Sequence, residues 1–122
     1  MDGRLEFLQA VPSVAEPGGV PNSGADLHLA PDGRFLYVSN RGQDSITVFP
    51  VQADGTLQLV QAVGCGGRTP RNFALDPTGG WVLVGNQDSD SIAVFKRDVQ
   101  SGRLALENKA FAPTPVSLLF RA

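Results

Sequence analysis

Five polar side chains carry the chemistry this chain can offer. His28 is the only histidine among 122 residues. An imidazole titrates close to neutrality, so it can serve as general base or proton shuttle on a water that attacks an ester carbonyl. Arg41 follows Ser39-Asn40 at the end of an apolar run, and Arg71 opens another in Pro70-Arg-Asn-Phe73. A guanidinium presents a fixed fork of donors, the geometry that carboxylate and phosphate oxygens need. Asn72 and Gln87 can add hydrogen bonds to the same ligand. Four of them also have a plainer reading: His28 as a structural imidazole, Arg41 as a surface residue closing a turn near Asp44, and the two amides as structural groups.

Other chemistries fall away. Cys65 stands alone, which excludes an internal disulfide framework and a cysteine-rich zinc site. It has no histidine nearby in sequence and is no candidate for a catalytic thiol. With one histidine, a metal would need mostly carboxylate ligands. Asp32, Asp44, Asp88 and Asp90 instead read as turn formers, because the ordered acidic spacing of a calcium loop is missing. No metal or cofactor is expected. Gly64-Cys-Gly-Gly67 lacks the Gly-Lys-Ser/Thr ending of a phosphate loop and reads as a flexible connection. No Gly-x-Ser-x-Gly elbow is present.

The balance of 10 Lys+Arg against 12 Asp+Glu, without a basic cluster, argues against a nucleic-acid partner. Apolar runs stop at about four or five residues, too short to span a bilayer as a helix. The opening Met1-Asp-Gly-Arg-Leu-Glu-Phe-Leu8 does not read as a signal peptide. Together with a lone cysteine, these features lead to the expectation of a cytoplasmic location.

The elements that position these side chains emerge when the chain is compared with itself. The stretch from His28 to Phe49 lies over the stretch from Ala74 to Phe95: Pro31 falls on Pro77, Asn40 on Asn86, Ile46 on Ile92 and Phe49 on Phe95, each offset by 46. Gly55-Thr-Leu57 then falls on Gly102-Arg-Leu104, one residue later. Gly3-Arg-Leu-Glu-Phe7 reads as the end of such a unit and Pro115-Val-Ser-Leu-Leu-Phe120 as the start of one.

Within a unit the apolar period is two. Phe35-Leu-Tyr-Val38 and Trp81-Val-Leu-Val84 are rich in aromatic and β-branched residues, while Ser45-Ile-Thr-Val-Phe49 and Ser91-Ile-Ala-Val-Phe95 alternate. Pro31-Asp-Gly33, Pro77-Thr-Gly-Gly80, Asp54-Gly55 and Ser101-Gly102 are turns between them. The 14 Gly and 9 Pro, about a fifth of the chain against a usual ~12%, are this punctuation. The pattern predicts strands at 25–30, 34–40, 45–51 and 57–63, then 71–76, 81–86, 91–97 and 104–111, and no long helix. Four antiparallel strands per unit of about 46 residues is the period of a β-propeller blade. The expected fold is all-β: two complete blades at 24–66 and 67–112, with one strand at each end in 1–23 and 113–122.

The string Ala25-Asp-Leu-His-Leu-Ala-Pro-Asp-Gly-Arg-Phe-Leu-Tyr-Val-Ser-Asn-Arg-Gly42, with Asp44-Ser-Ile-Thr-Val-Phe49, resembles the lactonase family of seven-bladed β-propellers. Thr69-Pro-Arg-Asn-Phe-Ala-Leu-Asp-Pro77 and Asn86-Gln-Asp-Ser-Asp-Ser-Ile-Ala-Val-Phe95 carry the same resemblance. That family includes propeller-type 6-phosphogluconolactonases and carboxymuconate cyclases. The resemblance implies that His28 and Arg41 are catalytic, that Arg71, Asn72 and Gln87 bind substrate, and that an acidic partner lies on an earlier blade. The implied substrate is a small anionic lactone bearing phosphate or carboxylate. A carboxymuconate cyclase-type lyase and a non-catalytic binding propeller remain alternatives at this point. Seven blades of this length need about 320 residues, so the expectation is a C-terminal portion whose open sheet edges call for missing blades or self-association.

Overall fold

The structure, a computed structural model, describes residues 23–113; the strands expected from 3–7 and 115–120, and the connection over 16–22, lie outside them. Eight strands form in chain order: β1 (Ser23–Leu29), β2 (Phe35–Arg41), β3 (Ser45–Pro50), β4 (Gln61–Gly64), β5 (Pro70–Leu75), β6 (Trp81–Asn86), β7 (Ser91–Arg97) and β8 (Leu104–Phe111). They make two antiparallel sheets of four, ordered β1-β2-β3-β4 and β5-β6-β7-β8. Among the described residues, the only helical turn is a 3-10 turn at Gln87–Ser89.

The turns form as their residues dictate. Gly33 and Gly79 take positive φ (73° and 79°) and donate back to the carbonyls of Ala30 and Asp76 at 2.8 and 2.7 Å. In the second turn the Asp76 carboxylate accepts from the Thr78 backbone N–H at 3.0 Å and from its hydroxyl at 2.7 Å. These hydrogen bonds to the ionised form hold the Asp76 carboxyl below the usual carboxylate range.

β4 is the element that differs from expectation. The ladder expected over 57–63 is confined to Gln61–Gly64, with an isolated bridge from Val51 to Leu57 and a bond from the Val60 N–H to the Val48 carbonyl at 3.0 Å. As the last strand of its sheet, β4 has a partner on one side only.

The two sheets bury one face against each other. Tyr37, Ile46 and Val48 of the first meet Phe73, Val82, Val84, Ala93 and Phe95 of the second, all fully buried in one cluster. Each such large apolar side chain contributes roughly 1.5–3 kcal/mol on burial. Polar ties cross the same interface at three depths. At the inner strands Asp26 accepts from Asn72 and from the Phe73 backbone. In the middle the Tyr37 hydroxyl donates to the Gly102 carbonyl at 2.6 Å and accepts from Arg97 Nε. At the outer strands the Gln61 amide both donates to the Leu104 carbonyl and accepts from its N–H, at 3.1 and 2.9 Å. The opposite faces are less covered: Leu27 and Leu29 on β1 are 63% and 57% exposed, and Trp81 on β6 is 40% exposed.

Candidate functional site

β1 and β5 are the first strands of their sheets, and they lie side by side. Each carries a β-bulge at the equivalent place, between Gly24 and Asp26 and between Pro70 and Asn72. The extra residues are Ala25 and Arg71. A bulge re-aims the side chain it carries, and Arg71 is exposed. The residue before Pro70 is also unusual: Thr69 holds φ at 60°, a conformation that costs a β-branched residue on the order of 1–3 kcal/mol. Three hydrogen bonds hold it there. Its N–H donates to Asp44 Oδ1 at 3.1 Å, its hydroxyl to Asp88 Oδ2 at 2.6 Å, and its carbonyl accepts from the Gln87 N–H at 2.9 Å.

Past the bulge, Asp26 and His28 share one face of β1, two residues apart. His28 Nε2 lies 3.0 Å from Asp26 Oδ2. The same oxygen accepts from Asn72 Nδ2 at 2.7 Å and from the Phe73 backbone N–H at 3.3 Å, while Oδ1 accepts from the Leu27 N–H at 3.0 Å. The imidazole meets the Phe73 ring edge-on, with centroids 4.7 Å apart and planes at 76°. Its side chain is 41% exposed, so the ring is held at Nε2 yet remains accessible to solvent. An open cleft of about 340 Å³ is lined by Gly24, Ala25, Asp26, Leu27 and Val38, the last two on the sheet face opposite His28.

The arginines sit at one end of these strands. Arg41 pairs in register with Ser23, and His28 pairs with Tyr37. Arg41 and Tyr37 are four steps apart on β2, so the two positions are about 13 Å apart along the ladder. Arg41 reaches back to the Gly24 carbonyl at 3.4 Å, not toward Asp44, and its buried Nε has no hydrogen-bond partner among the described residues. Arg71 and Gln87 occupy the same end, one on the bulge and one in the 3-10 turn. His28 and Asn72 thus meet through Asp26. Arg41, Arg71 and Gln87 form a separate rim group, and His28 and Arg41 are not in contact.

The connection 64–67 is more tightly held than the flexible link its glycines suggest. The Cys65 N–H donates to the Asp44 carbonyl at 2.9 Å, its thiol to the Gly67 carbonyl at 3.2 Å, and its own carbonyl accepts from Asn86 Nδ2 at 3.0 Å. A side chain at position 67 would run into Asn86 and Ser89, so close approach rather than mobility selects Gly67. Burial pushes the Cys65 thiol up to about 11, which keeps it protonated and inert at neutral pH. Asp32, Asp44, Asp88 and Asp90 all sit in or beside turns, Asp44 and Asp90 at positive φ.

A family described as the lactonase seven-bladed β-propellers matches residues 1–120. The chain belongs to that family. Among curated relatives, a 6-phosphogluconolactonase of Formosa agariphila is 43% identical over 85% of the chain. One of Bacillus subtilis is 38% identical over 97%. Among solved structures, the periplasmic gluconolactonase of Pseudomonas aeruginosa superposes over the whole chain with a TM-score of 0.91 at 40% identity. The chain covers 30%, 34% and 34% of these proteins respectively, about a third of their length.

Asp26 is the site residue that sequence reasoning missed. Two signals pointed to it. It precedes His28 by two positions, hence on the same strand face, and it falls on Asn72 at the 46-residue offset. What hid it is that its partners sit 46 and 47 residues away on the next sheet.

Proposed function

We propose that these two blades supply part of the active site of a lactone hydrolase, with the remaining blades completing the ring. The observation that carries this reading is the side-chain cluster on the innermost strands: a part-exposed His28 braced by Asp26 and Asn72, with Arg41 and Arg71 at the rim of the same strands. Membership of the family and the names of the relatives support the reaction class. The outward faces carrying Leu27, Leu29 and Trp81 are the surfaces that neighbouring blades would cover.

In this reading a lactone lies along β1 with its anionic group at the rim and its carbonyl near His28. The imidazole takes a proton from a water as the water oxygen bonds to the carbonyl carbon. The ring C–O bond then breaks, and the proton passes to the departing alkoxide, giving the open-chain acid. General-base assistance of this kind contributes roughly 10²–10⁴ in rate. In this reading the arginines hold the substrate's phosphate or carboxylate, and the distance of Arg41 from His28 along the strands favours that role over polarising the carbonyl.

The test is a substrate panel on a complete propeller carrying these blades: 6-phosphogluconolactone, unphosphorylated gluconolactone and carboxymuconate, followed by acid release or absorbance. Hydrolysis of a lactone well above its spontaneous rate is expected. Turnover of carboxymuconate alone would move the assignment to the cyclase type, and no turnover of any would leave a binding module.

A further inference from the structure

We propose that Asp26 is a positioning residue that fixes the tautomer of His28, with Nε2 carrying the hydrogen and Nδ1 left as the basic atom that faces substrate; the catalytic meaning of this rests on the hydrolase reading. Asp26 Oδ2 already receives two N–H groups that can only donate, the Asn72 amide at 2.7 Å and the Phe73 backbone at 3.3 Å. A carboxylate oxygen engaged in this way has only acceptor capacity left for a third partner. His28 Nε2, 3.0 Å away, is therefore the donor. In a neutral imidazole the other nitrogen then holds the lone pair. The edge-on contact with Phe73 limits rotation of the ring, and the side chain's 41% exposure leaves its free edge open.

Two consequences follow for the residues involved. Asn72 acts on the reaction through Asp26, since its amide hydrogen bond is directed at the carboxylate. The orientation of His28 also depends on the second sheet, because two of the four donors to Asp26 come from β5. The repeat explains the arrangement: Asp26 and Asn72 are equivalent positions, one an acceptor and one carrying a donor amide, so adjacent blades meet through a complementary pair.

Because His28 is the only histidine, a long-range ¹⁵N–¹H spectrum of the untagged chain reads its tautomer without assignment ambiguity. At a pH where the ring is neutral, the Nε2–H form should exceed the Nδ1–H form by about tenfold or more, the bias a charge-assisted hydrogen bond supplies. Asp26→Asn, whose amide can either accept from Nε2–H or donate to a bare Nε2, should reduce that preference several-fold. A wild-type spectrum with Nδ1–H predominant, or with the two forms equal, overturns the proposal without any variant. So does an Asp26→Asn spectrum with the preference intact. In a complete propeller, Asp26→Asn should lower kcat with KM nearly unchanged. The two ideas fail separately: absent hydrolysis with the Nε2–H form in place defeats the hydrolase reading, and hydrolysis with the wrong tautomer defeats this one.

Discussion

Tyr37→Phe tests how the two sheets are held together. The Tyr37 ring is fully buried and stays so as phenylalanine, leaving no cavity larger than one oxygen. What is lost is a hydroxyl that donates to the Gly102 carbonyl at 2.6 Å and accepts from Arg97 Nε. Both partners are buried. Arg97 is 4% exposed, its Nη1 donates to the Gly79 carbonyl at 3.0 Å, its Nη2 lacks a hydrogen-bond partner among the described residues, and Asp32 lies 3.9 Å away. Leaving a buried carbonyl and a buried guanidinium nitrogen unpaired costs about 1–3 kcal/mol for the first and somewhat more for the second. Relief from burying the hydroxyl offsets part of this, so a net loss of about 2–4 kcal/mol is expected. Urea unfolding should show a lower midpoint at unchanged slope.

A pH series adds an independent reading. Burial raises the Tyr37 hydroxyl above its usual 10.0, outweighing the lowering by the Arg97 hydrogen bond and charge. The folded form therefore favours the protonated phenol. Stability from this group is fully present below pH about 10 and is lost as pH rises past it, and Tyr37→Phe should lack this contribution to the alkaline decline. A variant within about 0.5 kcal/mol of wild type, or strict additivity with Arg97→Met in a double-mutant cycle, would refute the reasoning.

Three further outcomes are expected. Gly102→Ala should destabilise by about 2 kcal/mol or more in the same urea assay, because φ is +75° there and an added Cβ would enter the Phe35 ring; a neutral result would contradict the packing of the β7–β8 turn on Phe35. At pH 8, Cys65, with its thiol near 11, should react with an aromatic disulfide reagent on the order of 100-fold more slowly in the folded chain than in urea. Equal rates would mean the thiol is not buried. In a complete propeller Arg71→Ala should raise KM for a phosphorylated lactone about tenfold and much less for the unphosphorylated one, measured by acid release; equal effects on both would remove Arg71 from anion binding.

The strand pattern was legible because a sheet announces itself locally. Alternation in Ser45-Ile-Thr-Val-Phe49, the Pro-Asp-Gly turn at 31–33 and the 46-residue offset each need only a few neighbouring residues, and the two sheets follow them closely. β4 escaped because the sequence over 57–60 is as apolar as a paired strand, yet only an isolated bridge at Leu57 and one bond from Val60 tie it to the sheet before Gln61. Asp26 and Arg97 escaped for a different reason. In sequence both look like ordinary surface charges, and Arg97 falls on the apolar Val51 of the previous unit. Their partners belong to the other sheet, so their roles exist only once two blades are packed. His28 and the arginines were visible as types, but not their separation along the strands, which sets His28 apart from Arg41.

The most direct test of the account is the kcat of His28→Gln in a complete propeller carrying these two blades, measured on the lactone that the wild type hydrolyses best. Glutamine keeps a polar side chain beside Asp26 but cannot take a proton from water. The account predicts a fall in kcat of about 10²-fold or more with KM changed by no more than about threefold. An unchanged kcat would contradict it.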